Sequence, residues 1–553
     1  MNKYLILILL LAFSISIFGQ KADYTNLFSE EDLRSTVKFL SDDGFEGRAP
    51  GSRGGELAAK YIAQRLDLAG INPGNKGGFF QPVSLVGIKP DPATVLSLSR
   101  TSDGKTFTFD FGRDFVGFTD AQKDDVAVEG DLVFVGYGID APEQNWNDYK
   151  GDPSVYKDKI LLMLVNDPPA TEKEPDLFGG KALTYYGRWT YKYEEAARKG
   201  AKGVILIHTD ESAGYPWSVV ESSFGGTERF DIARSEGDQT PFLQLKAWMR
   251  DRSVMEFIKF SSTSLGVLIE SAKTRDFKPV DLNTTVRINL KAEVKRVDSN
   301  NVIGFWEGSD PKLKDQYVIY TAHWDHIGVG KPDAKGDAIY NGALDNASGC
   351  AQILALAEAI TKLPKEKQPR RSQVFLFTTA EEQGLLGAEW YAKHPVYPLD
   401  KTAANLNIDG GNFYGKTENF GALGADRSSL GTFVNEELEK RKMKFMPDPR
   451  PEQGSFFRSD HFPFAKMGVP ALSIRSGDDY IGREKGWADK IFAEYNKNHY
   501  HQPSDEFRDD WRFDGMVQML DVTLAIGLRA SNADKLPVFN SGDEFAKAQP
   551  GRK

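Results

Sequence analysis

From about residue 298 to residue 530, short apolar runs alternate with longer segments whose apolar positions recur every three or four residues. The short runs predict strands at 301–306, 316–320, 373–378, 405–408 and 471–474. The longer segments predict helices at 347–360, 383–393, 430–442 and 516–530. Strands that alternate with helices form a largely parallel sheet with helices on both faces. The pattern therefore predicts an α/β fold built on a mostly parallel, mixed sheet flanked by helices.

Two more helices are predicted near the N-terminus, ahead of any strand. The segment S-E-E-D at 29–32 resembles a capping box and opens an amphipathic helix. After the Gly/Arg/Pro-rich loop 43–55, residues 56–68 form a second amphipathic pattern, which Gly70 ends. These helices have no neighbouring strands, so we expect them to pack on the sheet formed later in the chain.

The middle of the chain, from about residue 82 to 290, has a different pattern. Short β-rich runs dominate, such as 131–137, 159–164 and 203–208, with one helical segment at 193–199. Between residues 82 and 290 we identify no carboxylate pair placed for catalysis and no histidine cluster, and His208, at the end of an apolar run, is typical of a core histidine. We interpret this part as an inserted, smaller, β-rich α+β domain without chemistry of its own. The polar tail from 532 has two prolines, and we expect it to be loosely held.

Length and composition agree with more than one domain. A chain of 553 residues exceeds what one hydrophobic core supports, so we expect two domains and a short leader. The net charge of −10 and the lack of a basic run argue against nucleic-acid binding. Cys350 is the only cysteine, which excludes an intramolecular disulfide, and its position in an Ala-rich helix is typical of a small buried residue.

The first 20 residues have the pattern of a signal peptide. Lys3 supplies the positive start, residues 5–18 are apolar, and Gly19 is a small residue at which cleavage could occur. The apolar run is short for a membrane span, and no other stretch approaches the roughly 20 apolar residues that a span needs. We therefore expect export to the periplasm or the outside of the cell, with no membrane span in the mature protein. A retained N-terminal anchor is the alternative.

Five polar segments in the last part of the chain follow predicted strands or corners, and each presents a side chain that can bind a metal. They are T-A-H-W-D-H at 321–326, D-N-A-S-G at 345–349, T-T-A-E-E-Q-G at 378–384, N-I-D-G-G at 407–411 and Y-H-Q-P-S-D at 500–505. In open α/β sheets, ligands bind where strands end. Histidine is scarce, with seven in the chain, so its recurrence in these segments is informative.

Two histidines and three carboxylates of these segments suit a pair of divalent first-row ions, and mixed imidazole and carboxylate ligands favour zinc. Two ions about 3.5–4 Å apart need one bridging carboxylate, and Asp345, at a tight turn before a helix, suits that role. In the adjacent pair Glu381 and Glu382, one carboxylate can bind metal while the other stays free as a general base. Asp325 can accept the second imidazole N–H of His323 and fix its tautomer.

These segments resemble the motifs of the M28 family of zinc peptidases, which includes bacterial aminopeptidases and glutamate carboxypeptidase-like enzymes. The shared motifs are A-H-W-D-H, L-D-N-A-S-G, A-E-E-Q-G-L-L-G, N-I-D-G-G and H-Q-P-S-D. The run A-A-R-K-G-A-K-G at 196–203 resembles part of a protease-associated (PA) domain. The resemblance implies a zinc-exopeptidase-like fold with these parts: signal peptide 1–20, N-terminal catalytic part and connecting strands 21–123, inserted PA domain 124–275, catalytic domain 276–532 and polar tail 533–553.

The resemblance also implies a role for each site residue. The implied ligands are His323, Asp345 and Asp409 for one of two zinc ions, and Asp345, Glu382 and His501 for the other. Glu381 would be the catalytic base, and Asp325 the partner of His323.

Two local details follow from the same resemblance. In some relatives the peptide bond after the bridging aspartate is cis, which would be Asp345–Asn346 here. Some relatives also have a tyrosine shortly before the segment S-D-H at 459–461, where it helps to stabilise the oxyanion. Phenylalanines occupy 456–457 in this chain, so the oxyanion partner stays open, with Arg458 and His461 as candidates.

The sequence therefore predicts an exported di-zinc exopeptidase, most simply an aminopeptidase that removes N-terminal residues from peptides or proteins by means of a metal-activated water. A carboxypeptidase or dipeptidase on the same metal core is the main alternative. It would need a cationic clamp for the substrate carboxylate, for which Arg458 and Arg475 are candidates. A PA-domain binding protein without catalysis is disfavoured because every ligand position is filled, and glutaminyl cyclisation is a more remote alternative.

Overall fold

The computed structural model of the chain describes residues 23–549, except 214, 227 and 260–262. The signal peptide predicted at 1–20 lies outside the described residues. In the part of the chain that is described, no helix combines the length and the apolar character needed to cross a membrane. The described chain forms two β-sheets that share one long strand, with helices packed on each.

The larger sheet, here called the main sheet, has parallel strands at its centre. Its strands are Asn72–Pro73, Phe80–Pro90, Arg229–Ile232, the C-terminal part of Val280–Trp306, Tyr317–His323, Ser372–Thr378, Thr402–Ile408, Asn419–Leu423, Lys444–Met446 and Ala471–Ser476. Tyr317–His323 pairs in parallel with Ser372–Thr378 on one side and with Thr402–Ile408 on the other. Ala471–Ser476 extends the parallel part, whereas Val280–Trp306 joins it antiparallel. This sheet confirms the predicted mixed, mostly parallel architecture.

Alternate side chains of the central strands enter cores on opposite faces of the main sheet. Val318 and Tyr320 join the larger core, whereas Ile319 between them joins the smaller one. The larger core is covered by the helices Glu30–Leu40, Arg53–Leu68, Ser348–Thr361, Leu430–Arg441 and Asp514–Asn532. The helices Leu386–Lys393 and His461–Lys466 contribute to the other face. Burial on both faces explains why these strands read as continuous apolar runs in the sequence.

The N-terminal helices complete the larger core. Glu30–Leu40 begins after Ser29, whose hydroxyl accepts a hydrogen bond from the Asp32 N–H at 3.2 Å. Arg53–Leu68 begins three residues before the predicted start at 56. Both helices pack against Ser348–Thr361, as expected for helices that lack strands of their own.

A second sheet and its helices form a smaller unit, here called the second unit. Its strands are Val95–Arg100, Thr106–Asp110, Phe115–Phe118, Asp125–Phe134, Ile160–Leu164, Gly203–His208, Leu245–Arg250 and the N-terminal part of Val280–Trp306. Its helices are Trp189–Arg198, Asp210–Ala213, Trp217–Phe224, Asp251–Ile258 and Leu265–Ala272. Two short hairpins, one in this unit and one outside it, pair Asp140–Ala141 with Trp146–Asn147 and Gly328–Val329 with Ile339–Tyr340.

The strand Val280–Trp306 is 27 residues long and belongs to both sheets. Its first half pairs with Val95–Arg100 and Asp125–Phe134, and its second half pairs with Phe80–Pro90. The second sheet therefore takes in strands from residue 95 onward, earlier than the boundary expected at 124. The assignment of this unit as a PA domain stays a prediction.

Two C-terminal segments differ from the sequence-based expectation. Trp487–Asn498 is a helix that the pattern did not predict, because a single one of its 12 side chains is buried. The tail was expected to be loosely held, but Phe539 and Phe545 are buried. Glu544 of the tail also forms an ion pair with Arg427 at 2.7 Å. The expectation of a loose tail is therefore wrong for residues 533–549.

Candidate metal centre

The ends of three neighbouring parallel strands bring the metal-capable side chains together. His323 ends one strand and pairs with Thr378, which ends the next. Glu381 and Glu382 follow Thr378 in the adjoining loop, and Asp409 directly follows the third strand. Because parallel strands end at the same edge of a sheet, these side chains converge there.

Asp345 lies on the turn that leads into the helix Ser348–Thr361 of the larger core. The peptide bond between Asp345 and Asn346 is cis, which confirms the expectation from the resemblance. The carboxylate of Asp505 accepts hydrogen bonds from the backbone N–H groups of Leu344 at 3.2 Å and Asp345 at 3.1 Å. Asp505 thus ties this turn to the segment that carries His501.

The carboxylate of Asp345 lies between two imidazoles. Its Oδ1 is 3.3 Å from Nε2 of His323, and its Oδ2 is 3.2 Å from Nε2 of His501. Each oxygen of one carboxylate therefore faces a different histidine, which is the arrangement of a ligand that bridges two ions.

Each imidazole also faces one further carboxylate. Nε2 of His323 is 3.2 Å from Oδ1 of Asp409. Nε2 of His501 is 3.0 Å from Oε2 of Glu382. The five side chains that the sequence predicted as metal ligands therefore meet in one place, in two groups that share Asp345.

Neighbouring side chains hold the outer carboxylates in position. Ser459 donates a hydrogen bond to Oδ2 of Asp409 at 2.7 Å and accepts one from Asn407 at 2.7 Å. Nδ1 of His326 lies 2.5 Å from Oε1 of Glu382. Sequence reasoning gave His326 no role, although it stands in the motif A-H-W-D-H, because its partner lies on a different loop.

Asp325 supports the site in a different way from that expected. Nδ1 of His323 lies 3.1 Å from the backbone carbonyl oxygen of Asp325 but 3.9 Å from its carboxylate. The carboxylate instead accepts a hydrogen bond from the backbone N–H of Glu381 at 3.1 Å. Asp325 therefore orients His323 through its main chain and holds the Glu381 loop through its side chain.

The pKa values of the two adjacent glutamates are shifted in opposite directions. Burial raises the pKa of Glu381 well above its ordinary value, although the attraction of His323 opposes the shift. Burial acts in the same direction on Glu382, but His501 and His326 outweigh it and lower the pKa of Glu382 to about 2. Glu381 is thus suited to carry a proton and Glu382 to stay ionised.

The donor atoms fit divalent metal ions. Among the described residues, donors come within 4.8 Å of one another in two groups: His323, Asp345 and Glu382; and His323, Glu381 and Asp409. Nε2 of His501 is buried and forms no hydrogen bond within the described chain, although carboxylate oxygens lie 3.0 and 3.2 Å away. Imidazole and carboxylate donors together are typical zinc ligands. A cation between them would satisfy groups that the protein alone leaves without hydrogen bonds.

A cavity of about 1890 Å³ opens onto these side chains. Asp345, Glu381, Glu382, Asp409 and His501 line it from the main sheet. The second unit lines it as well, through Phe118, Arg188, Trp189, Tyr193 and Lys246 among others. The volume exceeds the roughly 300–1,000 Å³ of a typical small-molecule site, so the cleft has room for a peptide.

Of the two residues that the sequence offered as oxyanion partners, Arg458 and His461, the structure places one at the cavity. His461 is fully buried, with its ring centroid 4.8 Å from that of Phe456, and it does not line the cavity. Arg458 does line the cavity. So does Tyr500, whose ring stacks on that of His501 with 3.9 Å between centroids. Sequence reasoning left Tyr500 without a role.

Known proteins share this sequence in part. Aminopeptidase YwaD of Bacillus subtilis (strain 168) is 25% identical over 290 residues, which are 52% of this chain and 57% of that protein. Leucine aminopeptidase 2 of Trichophyton rubrum is 29% identical over 227 residues, which are 39% of either chain. This chain thus spans less than two thirds of the length of these relatives.

The fold is shared more widely than the sequence. The aminopeptidase from Aneurinibacillus sp. strain AM-1 matches this structure with a TM-score of 0.50 at 19% identity, covering 93% of this chain and 97% of that one. The model of peptidase family M28 matches residues 301–525, the segment that contains all the converging side chains of the metal centre. Residues 301–525, which carry the metal centre, belong to peptidase family M28.

Proposed function

We propose that the protein is a zinc-dependent aminopeptidase that works with two zinc ions. The position of Asp345 carries the proposal, because its two oxygens lie 3.3 Å from His323 and 3.2 Å from His501. Aminopeptidases are among the hydrolases that use two metals about 3.5–4 Å apart. Two matched relatives are named aminopeptidases, which supports the same activity here.

The proposed ligand sets follow the two groups around Asp345. They are His323, Asp345 and Asp409 for one ion, and Asp345, Glu382 and His501 for the other. Ser459 orients the Asp409 carboxylate and His326 orients that of Glu382, each by the contact already described.

Glu381 is the proposed general base. Two zinc ions supply Lewis acidity and bring the pKa of water towards ~7. Glu381 takes the proton from the attacking water and delivers it to the leaving amine. Its carboxylate lies 3.9 Å from Nε2 of His323, beside the proposed ligands, while its backbone N–H is held by Asp325. Burial raises the pKa of Glu381, which suits a group that carries a proton from the water to the leaving amine.

Tyr500 is the proposed donor to the substrate carbonyl. It lines the cavity directly beside His501, on which its ring stacks. Tyr500 is 47% exposed, but the cavity walls around it and then the nearby carboxylates, first Asp345, raise its pKa. Its hydroxyl therefore keeps its proton and can donate a hydrogen bond to oxygen where negative charge develops.

A substrate panel tests the aminopeptidase proposal. We expect the zinc-loaded protein to cleave peptides with a free N-terminal amine and not the same peptides with an acetylated N-terminus. Removal of zinc by a chelator should abolish cleavage, and added zinc should restore it. Cleavage of acetylated peptides from their C-terminal end would instead support a carboxypeptidase on the same metal core. Zinc content near zero in a folded protein would revive the non-catalytic alternative.

The second unit is proposed to limit the size of the substrate, because it forms one wall of the cleft. Under this proposal the unit is the predicted PA domain and has no chemistry of its own. Dipeptides should then be cleaved faster than long peptides with the same N-terminal residue. Equal rates for both lengths would count against a size limit.

Export is proposed from the signal-peptide pattern in residues 1–20. N-terminal sequencing of the protein from its native host should find a mature N-terminus close after Gly19. A mature chain that keeps residues 1–20 would favour the N-terminal anchor.

A further inference from the structure

A group of cavity-lining arginines forms no ion pair among the described residues. The group, here called the arginine wall, consists of Arg188, Arg450, Arg458 and Arg475. Several other cations of the same cavity are paired, namely Lys246 with Asp120, Arg234 with Asp238 and Lys466 with Glu194. Because these arginines lack an acidic partner within the described part of the chain while other cations of the cavity have one, they can bind an anion that comes from outside the chain.

Arg188 is the least compensated member of the arginine wall. Its Nε is buried and has no hydrogen-bond partner within the described chain. The charged side chain that acts on it most strongly is Arg458, another cation. Burial, followed by this repulsion, lowers the pKa of Arg188 to about 10. An anion bound between the two guanidinium groups would compensate both the buried charge of Arg188 and its repulsion by Arg458.

The two arginines come from different parts of the fold and are held near each other by packing. The backbone N–H of Leu183 donates to the carbonyl oxygen of Pro451 at 3.0 Å. Tyr185 lies against Phe457 and Phe462, with ring centroids 6.2 and 5.1 Å apart. These contacts join the loop before Arg188, in the second unit, to the loop that contains Arg458. Their proximity is thus built into the interface between the two units.

The arginine wall lies next to the metal centre. Ser459, which follows Arg458, donates a hydrogen bond to Asp409 at 2.7 Å. Ile474 pairs with Ile408, so Arg475, near the end of Ala471–Ser476, lies at the same edge of the sheet as Asp409, which directly follows Thr402–Ile408. A bound anion would therefore lie close to the bond that is cleaved.

The metal centre does not need the arginines for charge balance. Its four carboxylates, those of Asp345, Glu381, Glu382 and Asp409, are matched by two divalent cations in the proposed function. The positive charge of the arginine wall then remains for the substrate. The helix Trp189–Arg198 adds to it, because its N-terminus has no side-chain cap and no acidic residue in its first turn.

We propose that the arginine wall binds a carboxylate of the substrate, so that the enzyme prefers peptides with a carboxylate one residue beyond the cleaved bond. This inference rests on the proposed aminopeptidase function. The carboxylate has two sources, the free C-terminus of a dipeptide or an acidic side chain of the second residue. Both present the planar pair of oxygens that a guanidinium group binds with two hydrogen bonds.

Two matched substrate pairs distinguish these sources. The first pair is Leu-Ala and its C-terminal amide, and the second is Leu-Glu-amide and Leu-Gln-amide. In the zinc-loaded protein we expect the carboxylate member of at least one pair to have a kcat/KM about 10- to 100-fold higher than its neutral partner. A preference in the first pair identifies the C-terminus, and one in the second identifies the acidic side chain.

Variants assign the preference to the arginine wall. Arg188→Met and Arg458→Met should each reduce it at least about 5-fold, because each removes charge-assisted hydrogen bonds to the carboxylate. Arg234→Met is the matched control, since Arg234 lines the same cavity but pairs with Asp238 at 3.4 Å. It should keep the full preference. Melting temperatures and zinc content verify that each variant is folded and loaded.

Two results would overturn the inference. One is an equal kcat/KM within both pairs, and the other is a preference that persists in both Arg188→Met and Arg458→Met. If the zinc-loaded protein cleaves none of the peptides, the aminopeptidase proposal fails separately. Calorimetric binding of Leu-Ala and Leu-Ala-amide then decides on the arginine wall, because tighter binding of Leu-Ala supports it and equal binding overturns it.

Discussion

Nδ1 of His326 and Oε1 of Glu382 lie 2.5 Å apart, and neither side chain is more than 5% exposed. This contact fixes one oxygen of Glu382, so that the other faces His501 at 3.0 Å. Mutation of a residue that orients a metal ligand typically lowers the metal affinity 10- to 100-fold. We expect His326→Ala to weaken binding of one zinc ion by about that factor, as measured by competition with a coloured chelator.

His394→Ala is the control for this prediction. His394 is exposed, and its ring packs on Trp390 with 4.0 Å between centroids. Its replacement should leave both zinc affinities unchanged. Wild-type affinity in His326→Ala would show that Glu382 does not depend on this contact.

Replacement of Glu381 separates catalysis from metal binding. Glu381→Ala should keep both zinc ions and lose about 10²–10⁴-fold in turnover, the share of a positioned general base. Glu382→Ala should instead lose metal, because its carboxylate faces His501 at 3.0 Å. Metal analysis and kinetics on the two variants check both statements. Loss of metal in Glu381→Ala would mean that the two glutamates have the opposite roles.

Tyr500→Phe tests the donor to the substrate carbonyl. The change removes the hydroxyl but keeps the ring that stacks on His501. We expect both zinc ions to stay bound and kcat to fall about 10²–10³-fold, as for other lost oxyanion donors. Tyr414→Phe, at another tyrosine of the cavity, should have little effect. A normal kcat in Tyr500→Phe would exclude the role.

The sequence predicted the main sheet because its strands are buried on both faces. Ser372–Thr378 buries every residue, and its centre V-F-L-F is a continuous apolar run. Thr402–Ile408 also buries every residue, but Asn405 and Asn407 interrupt its apolar pattern. The middle of Val280–Trp306 was missed because residues 291–298 bury no side chain and so show no apolar pattern. The predicted ligands were found because each stands in a recognisable local motif. His323, Glu382 and Asp409 lie at or shortly after strand ends. Asp345 lies on the turn before a helix, and His501 follows the helix Trp487–Asn498.

Contacts between loops were not predictable from local motifs. The pairing of His326 with Glu382 depends on how two loops fold over one sheet edge. Asp325 was expected to contact His323 through its carboxylate, but the turn presents its carbonyl oxygen instead. Spacing along the sequence therefore predicts which residues lie near each other, but it does not predict which of their atoms form the contact.

Arg48 joins the N-terminal loop to the loops of the metal centre. It is 1% exposed, and its guanidinium group donates hydrogen bonds to four backbone carbonyl oxygens. The acceptors are Leu40 at 2.7 Å, Trp324 at 2.9 Å, Asn341 at 2.6 Å and Gly342 at 2.9 Å. Arg48→Met would remove the side-chain donor from all four buried carbonyls, of which that of Gly342 also accepts from the Ala347 N–H at 3.2 Å. We expect it to lower the free energy of unfolding by at least about 3 kcal/mol in urea denaturation.

Arg53→Met is the control for Arg48. Arg53 is exposed, and among the described residues its one ion pair is with Glu46, at 3.5 Å. Such surface pairs contribute little, so the change should stay within about 0.5 kcal/mol. A small effect of Arg48→Met as well would mean that water replaces its hydrogen bonds.

A buried lysine in the second unit, Lys192, interacts electrostatically with two buried carboxylates, those of Asp148 and Asp167. Lys192 is fully buried, and its Nζ donates to the carbonyl oxygen of Asn166 at 3.1 Å. Burial raises the pKa of Asp148 to about 6, and the attraction of Lys192 opposes that shift. Burial likewise raises the pKa of Asp167 to about 7, again against the attraction of Lys192. In both cases the folded-state pKa exceeds that of the unfolded chain.

The loss of stability in Lys192→Met should therefore depend on pH. A raised carboxyl pKa means that the folded state holds more protons, so stability falls as pH rises from about 4 through the folded-state pKa. Without Lys192 the folded-state pKa of Asp148 and Asp167 rises further, which enlarges this loss at higher pH. We expect urea denaturation to show a deficit of about 3–5 kcal/mol against wild type at pH 8 and a clearly smaller one at pH 5. Exposed Lys173→Met should show no deficit at either pH. The same deficit at both pH values in Lys192→Met would show that the lost packing of the lysine stem, and not its charge, is responsible.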